Sequence, residues 1–220
     1  MKTIGIFIFL SLYIALCTTH LVFCYQKKEK PRILTKPFLL LTLGICMCFY
    51  VTDYPLIFIA CFLACIGDIL LIFDRRKWFF LIGAMFFASS HVVNIITQIQ
   101  IIGLELSWWQ YLLIYLPTPI AGLVGYFFIE KKPFSLFKYA FSLLHLTNVF
   151  FSIYSLCTGH IASGMMILFG YLCCIASDII LDKMVSKIEK LDHNFYIMLL
   201  YLVGQLLTYF GLAFGVLGVF

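Results

Sequence analysis

Apolar runs of about 18 residues or more recur along this chain with only short gaps between them, and nothing else in the sequence restricts the fold so tightly. Eight can be delimited, at roughly 3–24, 36–52, 55–73, 78–102, 108–128, 138–157, 161–181 and 195–219. Each is long enough to cross a hydrocarbon core of about 30 Å as a helix rising 1.5 Å per residue. Backbone amides in lipid must be satisfied without water, and single uniformly apolar segments of this length achieve that as helices. At 64% hydrophobic and 11% charged residues, a 220-residue domain could not cover itself with polar surface in water. The expected fold is all-α: one integral membrane domain over residues 1–220 with eight transmembrane helices.

The net charge of +5 would suit a nucleic-acid partner, but its placement argues against one. Lys27, Lys28, Lys30, Arg32 and Lys36 follow the first run, and Arg75, Arg76 and Lys77 follow the third. Lys131, Lys132 and Lys138 follow the fifth, and Lys183, Lys187 and Lys190 the seventh. Of the 15 basic residues, all but Lys2 thus fall on alternate loops, while 52–54, 103–107 and 158–160 carry none. That is the positive-inside pattern of eight spans with both termini on the non-cytoplasmic side. The longest loops are expected at 25–35 and 182–194. The first run reads as a span, because no Ala-x-Ala arrangement precedes Gln26. The 9 cysteines lie in the apolar runs or at their ends, with neither a CxxC pair nor a Cys/His cluster at zinc spacing. They read as small core residues, and no metal or cofactor is expected.

Lys30-Pro31-x-x-Leu34-x-Lys36 before the second run matches Lys132-Pro133-x-x-Leu136-x-Lys138 before the sixth. Cys65-Ile66-Gly67-Asp68-Ile69-Leu70-Leu71 is echoed, one residue longer, by Cys174-Ile175-Ala176-Ser177-Asp178-Ile179-Ile180-Leu181. The echoes fall on the third and seventh runs and suggest a parallel four-plus-four internal repeat. Pro117 and Pro119, with Gly122 and Gly125 beyond them, predict a kink in the fifth run. Thr208, Gly211, Gly215 and Gly218 predict close packing of the last.

Asp68 and Asp178 are the candidate chemistry. An ionised carboxylate in hydrocarbon costs on the order of 3 kcal/mol by insertion scales, so one kept there points to a site. Both lie at similar depth below the basic ends of their runs. Asp74 and Asp182 adjoin basic loops and read as boundary residues, and Glu105, Glu130, His160 and His193 as loop or interfacial ones. His91, Asn94 and Gln98 share one helix face, and so do Ser142, His145, Asn148 and Ser152. The last run offers Tyr201, Gln205 and Thr208. Side chains of this kind also serve simply as hydrogen bonds between helices, worth about 0.6 kcal/mol each. His145 is the candidate matched in depth to the aspartates, with His91 nearer mid-membrane. Lys36, at the mouth of the second run, can snorkel to lipid phosphate or, with Arg32 beside it, hold the phosphate of a bound lipid.

Thr35-Lys36-Pro37, Gly67-Asp68 with Leu70-Leu71, Gly83…Phe86…His91, Ser177-Asp178 and Tyr201-x-x-x-Gln205 together resemble the signature of the YhhN-like lysoplasmalogenases. The likeness covers most of the chain and the order of its motifs. Asn94 departs from it, standing where many relatives carry an aromatic residue. The resemblance implies an eight-helix hydrolase cleaving the vinyl ether bond of lysoplasmalogens to a fatty aldehyde and a glycerophospho-base. It implies Asp68 and Asp178 as the essential acids. The substrate would be a lysophospholipid lying among membrane lipids, with water as co-substrate. Lys36, His91, Asn94, His145, Tyr201 and Gln205 would line its site. The host would be a bacterial inner membrane or the endoplasmic reticulum, with the site opening toward the cytoplasm.

A vinyl ether resists nucleophiles but yields to acid: protonation on carbon gives an oxocarbenium ion, which water traps as a hemiacetal. Two neighbouring carboxyls can divide the work of donating the proton and facing the cation, as in glycoside hydrolysis. The same pair would also serve a proton-coupled transporter of a small molecule or lipid, or sit in a lipid-binding subunit without turnover.

Overall fold

A computed structural model of the chain describes residues 2–72, 77–105, 107, 133–185 and 194–218, with residues 2, 77, 78, 80, 81, 133–140 and 182–185 given by their backbone alone. It is built of helices joined by short turns in these segments. We number the helices α1 (Lys2–Tyr25), α2 (Glu29–Tyr50), α3 (Pro55–Leu71), α4 (Lys77–Ile102), α5 (Pro133–Cys157), α6 (Ile161–Val185) and α7 (Asn194–Val216). Six of them, all but α5, are long and apolar enough to cross a bilayer, and α5 carries the apolar stretch Phe141–Cys157. The expected span at 108–128, with Pro117, Pro119, Gly122 and Gly125, lies outside the described residues. So do Asp74, Arg75, Arg76, Glu130, Lys131, Lys132, Lys187, Lys190 and His193.

One sequence expectation needs correction. The loop expected at 25–35 is short, because α2 already begins at Glu29. Pro31 falls in the first turn, where a missing N–H costs no helical bond, and Glu29 suits the positive end of the helix dipole. Thr35 Oγ1 donates back to the carbonyls of Pro31 at 3.0 Å and Arg32 at 3.2 Å, closing the turn. Lys36 therefore sits inside the helix. α1 stops where Lys27 adopts a left-handed φ of 55°, while α4 and α5 stop at Gly103 (φ 70°) and Gly159 (φ 97°). In each case the next amide reaches back five residues, as from Leu104 N to Ile99 O at 3.1 Å.

The interior holds many polar side chains among the apolar ones, while large apolar side chains cover the outside. Asp68, His91, Asn94, Gln98, His145, Asn148 and Gln205 are buried, whereas Phe7, Phe38, Phe62, Phe150 and Phe169 stand on the outside. A water-soluble bundle would show the reverse. α7 runs through the middle, packing on α1, α2, α3, α4 and α6. Tyr13 OH donates to Leu202 O at 3.2 Å, tying α1 to it, and Tyr209 OH meets Ser90 Oγ at 3.2 Å, tying α4.

Small residues set the close approaches. A Cβ on Gly170 would meet Gly204 O at 2.8 Å, and one on Gly204 would meet Gly170 O at 2.8 Å, so α6 and α7 touch backbone to backbone. Gly67 and Gly83 do the same for α3 and α4, with the added Cβ of Gly67 3.0 Å from Gly83 O. Of the small residues expected to pack the last helix, Gly211 and Gly215 lie against Ile167 and Ser163 of α6, and Thr208 beside Gly170.

Candidate active site

Asp68 sits on α3 one residue after the glycine that brings α3 against α4. Its side chain is 3% exposed, and both oxygens are occupied. Lys36 Nζ, from α2, stands 3.1 Å from Oδ1. Tyr201 OH, from α7, donates to Oδ2 at 2.9 Å. A buried carboxylate requires such company, since an uncompensated one would cost several kcal/mol. The triad fastens α2, α3 and α7 together at one point. Lys36 reaches inward rather than merely snorkelling outward, although at 22% exposure its ammonium still borders the surroundings. Cys65, one turn before Asp68, donates its thiol to Pro37 O at 3.2 Å, holding the same two helices in register.

Asp178, on α6, is built differently. Its side chain is 41% exposed, and Oδ2 lies 3.0 Å from His145 Nε2 of α5. His145 is itself buried among rings: His91 at a centroid distance of 4.5 Å, Phe141 at 4.8 Å and Tyr171 at 5.8 Å. Tyr171 OH accepts from Asn94 Nδ2 at 3.0 Å and stands 3.4 Å from His91 Nδ1. A second layer follows along α4 and α5. Gln98 Nε2 donates to Asn148 Oδ1 at 2.8 Å, and Ser152 Oγ donates to Gln98 Oε1 at 3.1 Å. Among the described residues, His145 Nδ1 and Asn94 Oδ1 are buried without a hydrogen-bond partner.

The two clusters meet at the seam between α6 and α7. Gln205 Nε2 of α7 points at Cys174 Sγ of α6, 3.8 Å away, and Ser177 Oγ donates to Ile197 O at 3.0 Å. Asp178 lies one turn beyond Cys174, and Tyr201 one turn before Gln205. Because the two helices run in opposite directions, these steps go the same way, and Asp178 and Tyr201 share a level. Tyr201 in turn holds Asp68.

Of the residues expected to line a site, Lys36 and Tyr201 meet Asp68, and His145 meets Asp178. His91 and Asn94 meet Tyr171 beside His145, and Gln205 joins Cys174. Sequence reading missed Tyr171 and the role of Lys36 as counter-ion to Asp68. Tyr171, Cys174 and Asp178 are spaced i, i+3 and i+7, one helix face, which was the available signal. Nothing local could pair Lys36 with a residue 32 positions away.

A helical bundle coated with apolar side chains, six of whose helices are long and apolar enough to cross a bilayer, is a polytopic membrane protein. The model of the YhhN family matches residues 31–212, and the chain belongs to that family, the family of lysoplasmalogenases. No curated protein and no solved structure matches it.

Proposed function

We propose that this protein is a lysoplasmalogenase, hydrolysing the vinyl ether of a lysoplasmalogen to a fatty aldehyde and glycerophosphocholine or glycerophosphoethanolamine. The observation that supports the reading is the Tyr201–Asp68 hydrogen bond beside the neighbouring His145–Asp178 contact, each carboxylate held on a helix that packs against α7. Asp68 carries an ammonium on one oxygen and a phenol on the other. It faces the cation that develops. Asp178 and His145, 3.0 Å apart, act together as the proton donor. The pair gives that proton to the vinyl carbon beta to oxygen, leaving an oxocarbenium ion. Water adds to that ion and returns a proton to the pair. The hemiacetal then collapses to aldehyde and glycerol hydroxyl. The lipid chain lies between apolar helices with its headgroup near Arg32 and Lys36, and the site opens toward the cytoplasm.

The reading includes eight spans in a parallel four-plus-four repeat. In its support, α2, α3 and α4 pack consecutively, as do α5, α6 and α7, and each trio carries its aspartate on the middle helix. The test is direct. Membranes holding the protein should release aldehyde from added lysoplasmalogen, and Asp68→Asn or Asp178→Asn should lower the rate by 10²- to 10⁴-fold on the order of general acid–base effects. Uptake of a solute driven by a pH gradient, with no aldehyde formed, would replace this reading with that of a proton-coupled transporter.

A further inference from the structure

Among the buried titratable groups that the chemistry above leaves unused is a histidine of α1. His20, on α1 ahead of the family-matched residues, is 0% exposed and lies against the α2 turn that carries Lys36. Its Nδ1 stands 2.7 Å from Thr35 Oγ1. Thr35 spends its one hydroxyl hydrogen on the carbonyls of Pro31 and Arg32, so toward the ring it is an acceptor and Nδ1 carries the hydrogen. A neutral imidazole that donates at Nδ1 must accept at Nε2. That Nε2 is buried with no hydrogen-bond partner among the described residues. Its charged neighbours are Lys36 and Arg32.

The order of groups along α2 matches the order of groups along a lyso-lipid. Arg32 stands one turn, about 6 Å, nearer the start of the helix than Lys36. Thr35 and His20 lie between them, and Lys36 reaches on to Asp68. A lysophospholipid presents, from the headgroup inward, a phosphate, a free hydroxyl on the central glycerol carbon, and the ether carbon. We propose that His20 Nε2 accepts the hydrogen of that central hydroxyl, which makes His20 the residue that selects lyso-lipids over lipids acylated at the same carbon. An acylated lipid has no hydrogen to give and would leave the buried nitrogen unpaired, the situation in which polar sites discriminate most strongly. The proposal rests on the lyso-lipid reading of the site.

The test measures binding, so that it does not depend on turnover. The probes are a saturated 1-alkyl lysophospholipid and its 2-deoxy analogue, in which hydrogen replaces the central hydroxyl. The wild-type protein should bind the hydroxyl-bearing lipid about 10- to 100-fold more tightly, the range set by one unpaired buried group. His20→Asn keeps a donor near Thr35 but has nothing at Nε2, and should bring the two affinities together by weakening only the hydroxyl-bearing lipid. His20→Gln places an oxygen near the lost Nε2 and should restore part of the difference. Equal affinities in the wild type overturn the proposal without any variant. So does an equal loss on both lipids in His20→Asn, which would mean that His20 merely props up α2. Discrimination that vanishes with His20 in a protein releasing no aldehyde from lysoplasmalogen would keep this proposal and discard the hydrolase.

Discussion

Tyr201 and Asp68 are 133 residues apart in sequence and 2.9 Å apart in the structure, phenol to carboxylate. The bond reaches from α3 to α7. It holds Asp68 of α3 against α7. Tyr201 also packs edge-on against Phe87 at 6.3 Å, so its hydroxyl has little freedom to point elsewhere. Tyr201→Phe keeps that packing and removes one hydrogen bond to a charged acceptor, an interaction worth about 1.5–3 kcal/mol. Aldehyde release should fall about 10- to 100-fold in kcat, with expression and thermal stability nearly unchanged. Wild-type kcat in the variant would remove Asp68 from the chemistry.

The Lys36–Asp68 pair predicts non-additive stability. Lys36→Met leaves a carboxylate buried without its cation and should destabilise the solubilised protein by about 3 kcal/mol. Asp68→Asn on the Lys36→Met background should recover most of that loss, because the uncompensated charge has gone. Thermal unfolding in detergent of the two single variants and the double one measures this. Additive losses would show that the two side chains are not partners.

Asp178 and His145 should behave as one unit. If they share the proton, either Asp178→Asn or His145→Ala removes the donor, and the double variant should be no slower than the worse single one. Steady-state rates of aldehyde release decide the matter. A double variant slower by the product of the two single effects would assign the residues separate roles.

The positive-inside pattern predicts orientation, and Cys157 reports it. This cysteine is exposed at the end of α5, remote from the basic starts of the even-numbered spans. In a Cys48→Ser background, which removes the other exposed cysteine at that end, a membrane-impermeant maleimide should label it in intact cells, and adding Cys157→Ser should abolish that signal. Labelling that appears only after the membrane is opened would invert the topology.

Much of the fold was legible in the chain because lipid removes the alternatives. A long apolar segment without water can only be a helix, so the described helices fall within a few residues of their predicted runs wherever the signal is apolarity. The reading failed at 25–35, where charge was taken for loop. Lys30, Arg32 and Lys36 are compatible with a helix that projects beyond the apolar layer, and Pro31 is tolerated in its first turn.

For the site, the sequence by itself put two carboxylates in apolar helices and led to the expectation of similar depth, with His145 matched to them. A residue's depth follows from its count along a helix of fixed rise, which is one-dimensional information. The partners were decided only by tertiary structure: Lys36 and Tyr201 for Asp68, the His145–His91–Tyr171 rings for Asp178, and Thr35 for His20. Which faces of two helices meet depends on how closely their backbones approach. Here Gly170 against Gly204 and Gly67 against Gly83 set that approach, and such pairs show themselves only once the chain has packed.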